Sequence, residues 1–269
     1  AWCALLEPPA LARLLATPDC DVFLARAGAL QPGRPRTLAE DEAAQAAGCT
    51  TVLRHIEHWL PALDRAVAAL LAVLPGAPDA HLYRTPAGHS GFGWHCDAED
   101  VFIVQIAGVK RYHLRANTTC PRPLPGRLPP ASALRAETTP RARCDLAPGD
   151  CLYLPAGWWH AAEAITASTS LSLGIQAAAR VDLAARCVHA LGDDQTWRER
   201  LPALPGERRA AAAAALRALA RHAEAVAADT AALDRLLAAP LPARPRAPIT
   251  PSPPGRSAPC APAAAAGHR

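Results

Sequence analysis

The chain of 269 residues contains no methionine, position 1 included, and only 4% of it is aromatic. The missing start residue reads as a fragment or a processed product. Although 51% of the residues are apolar, many of these are alanine, so large core side chains are scarce. A core must therefore come from a few stretches rich in leucine, isoleucine and valine. No uninterrupted apolar run approaches the ~20 residues that cross a bilayer, which argues against a membrane partner. The net charge is +4. Such a mild balance supplies only weak attraction to nucleic acid, which is not expected as the primary partner. The nine cysteines are scattered and odd in number, and no C-x-x-C pair occurs among them. With no signal-like N-terminus, reduced thiols in an intracellular setting, cytoplasm or nucleus, are expected.

What is present changes texture along the chain. Residues 1–78 read as helical and connecting segments. From Ile56 to Leu74, residues Leu60, Leu63, Val67, Leu70, Leu71 and Leu74 fall at helical spacing, and Pro75-Gly76 stops the pattern. Residues 79–177 hold short runs rich in β-branched and aromatic side chains: His81-Leu82-Tyr83, Val101 to Ile106, Lys110 to Leu114, Cys151 to Leu154 and Ser168 to Ile175. Strands so spaced, with no helical pattern between them, predict a mainly β barrel or sandwich of the jelly-roll kind with flanking helices. The Val101–Ile106 run is apolar at both alternating sets of positions, so both faces should be buried. Asn117 to Pro140 carries six prolines and reads as a long surface loop. Residues 178–239 are helical, ending in an Ala/Arg-rich helix after Pro205-Gly206. Its Leu216, Leu219, Ala223, Val226, Thr230, Leu233 and Leu237 form a 3-4 seam that fits packing in cis or a homodimer equally well. Residues 240–269, with nine prolines and no acid, read as a disordered tail.

The chemistry concentrates in Gly91-Phe92-Gly93-Trp94-His95-Cys96-Asp97. In a strand, residues two apart share a face, so His95 and Asp97 can reach one metal ion. His160, in Pro155-Ala156-Gly157-Trp158-Trp159-His160, is the best third ligand. Two imidazoles and a carboxylate leave adjacent coordination positions open, which suits iron(II) oxygen chemistry, whereas structural zinc is normally closed by protein ligands. An isolated H-x-D occurs often by chance, and a lone histidine after two tryptophans is more often a packed core residue. The pairing of both elements within one β-rich region raises the metal reading. Lys110, Tyr112 and Leu114 share one strand face. If that face points inward, the buried ammonium needs an anionic partner, which a cosubstrate carboxylate would supply; if the strand is rotated, Lys110 is simply solvated.

At these residues the sequence resembles the cupin-type Jumonji-C ribosomal oxygenases. The likeness runs through Tyr83-Arg84-Thr85-Pro86-Ala87-Gly88, Gly91 to Asp97, Asp100 to Gln105 and Gly108-Val109-Lys110-Arg111. It resumes at Pro148 to Pro155, Gly157 to His160 and Ser170-Leu171-Ser172-Leu173, covering about residues 50–205. The resemblance implies a double-stranded β-helix that binds iron(II) and the cosubstrate 2-oxoglutarate and hydroxylates protein side chains, notably of ribosomal proteins. It implies His95, Asp97 and His160 as iron ligands, Lys110 and Tyr83 as cosubstrate-binding residues, and Ser170 as a residue near the same pocket. It also implies dimerisation through helices after the barrel. His81 stands where some members have an asparagine.

Rival functions are a small-molecule or peptide oxygenase, or a demethylase, on the same barrel. From another class comes a metal-binding cupin without turnover, serving as an interaction module. The set His95, Asp97, Lys110 and His160 argues against the last, because a binding module has no need of an open triad.

Overall fold

The computed structural model describes residues 7–74 and 76–239; the expected Pro75 stop and the proline-rich tail lie outside the described residues. Among the described residues, those up to 177 and those from 178 to 239 form two compact units.

The first unit opens with α1 (Pro8–Ala16), β1 (Asp21–Arg26), β2 (Ala29–Gln31), α2 (Leu38–Ala46) and β3 (Thr50–Arg54). The region before residue 79 is therefore not only helical and connecting. Asp21–Arg26 alternates in burial, and Thr50–Arg54 is rich in β-branched residues and pairs with its neighbours on both sides. The helix expected from Ile56 begins instead as α3 at Pro61 and ends at Leu71. Proline lacks the N–H to continue a preceding turn and drives the residue before it out of the helical region. Leu60 is accordingly extended, at φ −124° and ψ 94°, after a 3-10 turn over Ile56–Trp59.

Seven further strands follow: β4 (Ala77–Thr85), β5 (Asp100–Ala107), β6 (Lys110–Arg115), β7 (Arg141–Leu146), β8 (Cys151–Leu154), β9 (Trp159–Ala164) and β10 (Ser168–Gln176). They form antiparallel sheets in the orders β2-β1-β3-β4-β10-β5-β8 and β7-β6-β9. The two sheets are not joined into one hydrogen-bonded barrel; what is observed is a cupin-like arrangement of antiparallel sheets with helices.

Strand β5 shows why this sequence holds both layers together. Val101 and Ile103 pack with Tyr112, Leu146 and Leu154. Val104 and Ile106 join the larger core made by Leu14, Leu15, Leu53, Ile56, Leu63, Leu82 and Leu171. Alternation at period 2 puts these sets on opposite faces, as the two-faced apolar run requires. Gly108 turns the chain from β5 into β6 at φ +67°, and a Cβ there would sit 2.0 Å from the Ala167 carbonyl oxygen. Only glycine fits both demands. The Asn117–Pro140 connection has a 3-10 turn at Ala131–Ala136 and is tied down by Glu137. That carboxylate accepts hydrogen bonds from the backbone and hydroxyls of Thr118 and Thr119 and, at 3.0 Å, from Trp159 Nε1.

The second unit holds α4 (Arg180–Ala190), α5 (Pro205–Ala228) and α6 (Thr230–Ala238). The single long helix expected after residue 205 is broken at Asp229. That residue is non-helical, at φ −107° and ψ 105°, and its side chain accepts from the N–H groups of Ala231 and Ala232. An aspartate able to cap a new helix start competes with continuing the old one. No helix among the described residues is long and apolar enough to cross a membrane.

Candidate metal centre

His160 lies in β9, whereas His95 lies in an irregular segment before β5, not in a strand as the two-residue spacing suggested. His95 is positioned by an isolated bridge to His160. Each backbone N–H donates to the other's carbonyl, at 3.0 Å from His95 and 2.8 Å from His160. The imidazole centroids are 4.1 Å apart. Asp97 Oδ2 stands 3.5 Å from His160 Nε2 and 4.0 Å from His95 Nε2. Gly157 N–H donates to the Asp97 carbonyl at 2.7 Å, holding that backbone against the turn before β9.

The donor chemistry fits a metal. His95 Nδ1 is 2.8 Å from the Gly93 carbonyl and His160 Nδ1 is 3.1 Å from the Trp158 carbonyl. A carbonyl can only accept, so both Nδ1 atoms carry the proton and both Nε2 lone pairs face Asp97. Burial, and then the neighbouring His95, push the His160 pKa below its ordinary value, keeping it neutral. The ligating atoms of His95, Asp97 and His160 lie within 4.8 Å of one another.

The triad opens on a cleft of about 70 Å³ lined also by Tyr83, Val101, Ile103, Lys110, Tyr112, Ala162 and Ser172. The inward orientation of β6 is thereby fixed: Lys110 is 6% exposed. Its Nζ sits 5.4 Å from the centre of the Tyr83 ring and 5.9 Å from that of Tyr112. Burial lowers the Lys110 pKa to about 8, and among the described residues no carboxylate forms an ion pair with it. Burial, followed by the Asp97 charge, raises the Tyr83 phenol, which stays protonated. The cleft thus offers three metal donors at one side and a cation with a phenol at the other.

Ser170 lies beside the cleft and not in its lining. It pairs in register with Tyr83, but its hydroxyl donates to Gln105 Oε1 at 2.8 Å, and Ser172 lines the cleft in its stead. The sequence reading also missed Glu99. Burial, then Asp97 and Asp79, raise its pKa to about 8. Gly174 makes room for it, since a Cβ there would lie 2.6 Å from Glu99 Cδ. Tyr112 was legible from strand alternation with Lys110; nothing in the local sequence marks Glu99 or Ser172.

The JmjC domain model matches residues 58–183. The Drosophila persimilis bifunctional lysine-specific demethylase and histidyl-hydroxylase NO66 is 33% identical over 129 residues, spanning 48% of this chain and 18% of that protein. The Escherichia coli ribosomal protein uL16 3-hydroxylase is 29% identical over 136 residues, 47% of this chain and 33% of that one. The chain therefore spans a third or less of these relatives' lengths. The structure of the Escherichia coli ribosomal oxygenase YcfD in complex with cobalt and 2-oxoglutarate superposes with a TM-score of 0.56 at 20% identity, covering 86% of this chain and 62% of that one. At that identity the likeness establishes the fold. Over residues 58–183 the chain is thus similar to the JmjC domain, and over much the same stretch to the ribosomal oxygenases.

Proposed function

We propose that the chain is an iron(II)- and 2-oxoglutarate-dependent oxygenase that hydroxylates a protein side chain, on a ribosomal protein. The observation that carries this reading is the open His95–Asp97–His160 set sharing one cleft with the buried, carboxylate-free Lys110. His95, Asp97 and His160 would hold the iron through Nε2, Oδ2 and Nε2. Lys110 would pair with the distal carboxylate of 2-oxoglutarate, and Tyr83 would donate a hydrogen bond to the same end. The bound metal and cosubstrate supply the activation of O₂ and the oxidising power. The chain's residues hold the three donors neutral or anionic, keep Lys110 charged when an anion arrives, and wall the cleft with Val101, Ile103 and Ala162 against water.

The ribosomal substrate is proposed from the relatives named as ribosomal protein hydroxylases. Lysine demethylation is the second reading, favoured by the bifunctional name of the Drosophila relative. A homodimer through the second unit belongs to the same proposal, since Leu216 and Leu237 are left 66% and 53% exposed. So does an intracellular setting, supported by the seven free cysteines among the described residues.

The test is to load the protein with iron anaerobically, add 2-oxoglutarate and O₂, and follow succinate. Iron-dependent succinate that disappears in His95→Ala is expected. Absence of both succinate and 2-oxoglutarate binding would leave the cupin as an interaction module.

A further inference from the structure

A second group of ligating side chains collects beside the cleft. Asp79, His81 and Tyr83 occupy alternate positions of β4 and so share one face. His55 follows β3 in the left-handed region, at φ 55° and ψ 37°, a conformation that costs energy for any residue with a Cβ. There its Nδ1 lies 2.8 Å from Asp79 Oδ1, and His81 Nε2 lies 2.7 Å from the same oxygen. Asp79 Oδ1 and His81 Nε2 are both buried atoms, and the one oxygen is the ion-pair partner of both imidazoles. Glu57 adds a carboxylate: its Oε2 accepts from Ala80 N–H, while Oε1 stands 4.0 Å from His55 Nδ1.

Two imidazole nitrogens converge on one carboxylate oxygen that can satisfy both only if charge is held largely out of water, and that is costly for buried polar atoms. A divalent cation satisfies all of them at once. Zinc bonds of 2.0–2.2 Å would need the donors to spread to roughly 3.3 Å apart, a shift of about half an ångström. The three donor atoms already lie within 4.8 Å of one another. We infer that His55, Asp79 and His81 form a second divalent-cation site of zinc type, with Glu57 as the nearest further donor. Unlike the His95–Asp97–His160 set, it opens on no cleft among those the triad shares, and a fourth protein donor adjoins it. That is the character of a structural zinc site.

The site reaches the cleft through Tyr83, whose hydroxyl is 3.2 Å from His81 Nδ1. With a cation on Nε2, the His81 proton sits on Nδ1 and is donated to the Tyr83 oxygen. The Tyr83 O–H is then free to donate into the cleft. Without a cation, Nε2 carries the proton beside Asp79, and Nδ1 takes the Tyr83 O–H for itself. This consequence, though not the site, rests on the cosubstrate role proposed for Tyr83.

Equilibrium dialysis of the whole chain against zinc(II), followed by metal analysis, tests the site. Two equivalents are expected in the unaltered protein. One should survive in His95→Ala/Asp97→Ala and one in His55→Asn/Asp79→Asn, where asparagine tolerates the left-handed backbone. Circular dichroism checks folding, and His81→Gln reads the same equivalent should the double variant fail to fold. A second equivalent that persists in His55→Asn/Asp79→Asn overturns the inference. So does a single equivalent that vanishes with His95 and Asp97. A single equivalent that survives their loss and vanishes in His55→Asn/Asp79→Asn upholds this site and sinks the iron reading instead.

Discussion

His95 and His160 are held opposite each other by two reciprocal backbone hydrogen bonds, of 3.0 and 2.8 Å, that involve neither imidazole. The main chain therefore sets the spacing of the two candidate ligands, and their Nε2 atoms are left facing Asp97. A ligand substitution should consequently separate metal binding from folding.

For His160→Ala the bridge remains, and the melting temperature should fall by only a few degrees. Cobalt(II) affinity should drop by more than about 100-fold, beyond what loss of a supporting residue costs. Calorimetric titration beside a thermal melt checks this. Retained affinity would remove His160 from the ligand set.

Lys110 carries an unusual sign. Burial lowers its pKa to about 8 in the folded protein, so above that pH the unfolded chain holds more protons. Its burial penalty is present in full below about pH 8 and is relieved as pH rises toward ~10.4, the ordinary lysine value. Lys110→Met should then stabilise the cosubstrate-free protein near neutrality by of order 1–3 kcal/mol. The same variant should raise the KM for 2-oxoglutarate by roughly 10- to 100-fold. In the unaltered protein, cosubstrate affinity should fall as pH rises through 8. A destabilised variant with normal KM would overturn the assignment.

Glu137 fastens the proline-rich connection to the strand that carries His160. Burial acts to raise its pKa, but hydrogen bonds from Thr118, Trp159 and Thr119 outweigh it and hold the value at about 2. The stability this contributes is complete above the unfolded glutamate value of ~4.3 and is lost as pH falls through about 2. Glu137→Ala also strands the Trp159 Nε1–H, which is fully buried. A loss of roughly 1–3 kcal/mol is expected, read from urea unfolding followed by tryptophan fluorescence.

Two glycines with similar dihedrals should respond differently. Gly108 has φ +67° and a blocked Cβ direction, whereas Gly126 has φ +74° and nothing within 4 Å. Gly126→Ala should cost about 1–2 kcal/mol from backbone strain alone. Gly108→Ala should cost more than about 3 kcal/mol, because strain and a backbone clash add. Equal urea midpoints for the two variants would contradict the close approach to Ala167.

The sequence alone carried five of the ten strands among the described residues and the candidate chemistry. Richness in β-branched and aromatic residues located the five runs from His81 to Ile175, and period-2 alternation put Lys110 and Tyr112 on one face. The sequence also grouped His95, Asp97 and His160, because two imidazoles and a carboxylate are the donors that an open iron site needs, and the structure brings the three together at one cleft. Local pattern misled where a neighbour competed: Pro61 delayed a helix, Asp229 split another, and three strands stood before residue 79.

Only the tertiary structure decided which way β6 faces, that His95 hangs on a bridge to His160 instead of a strand of its own, and that Ser172 rather than Ser170 lines the cleft. It alone joined His55 to Asp79 and His81. The physical reason is common to all of these: periodicity fixes which residues share a face, but pairing between distant segments fixes what that face meets.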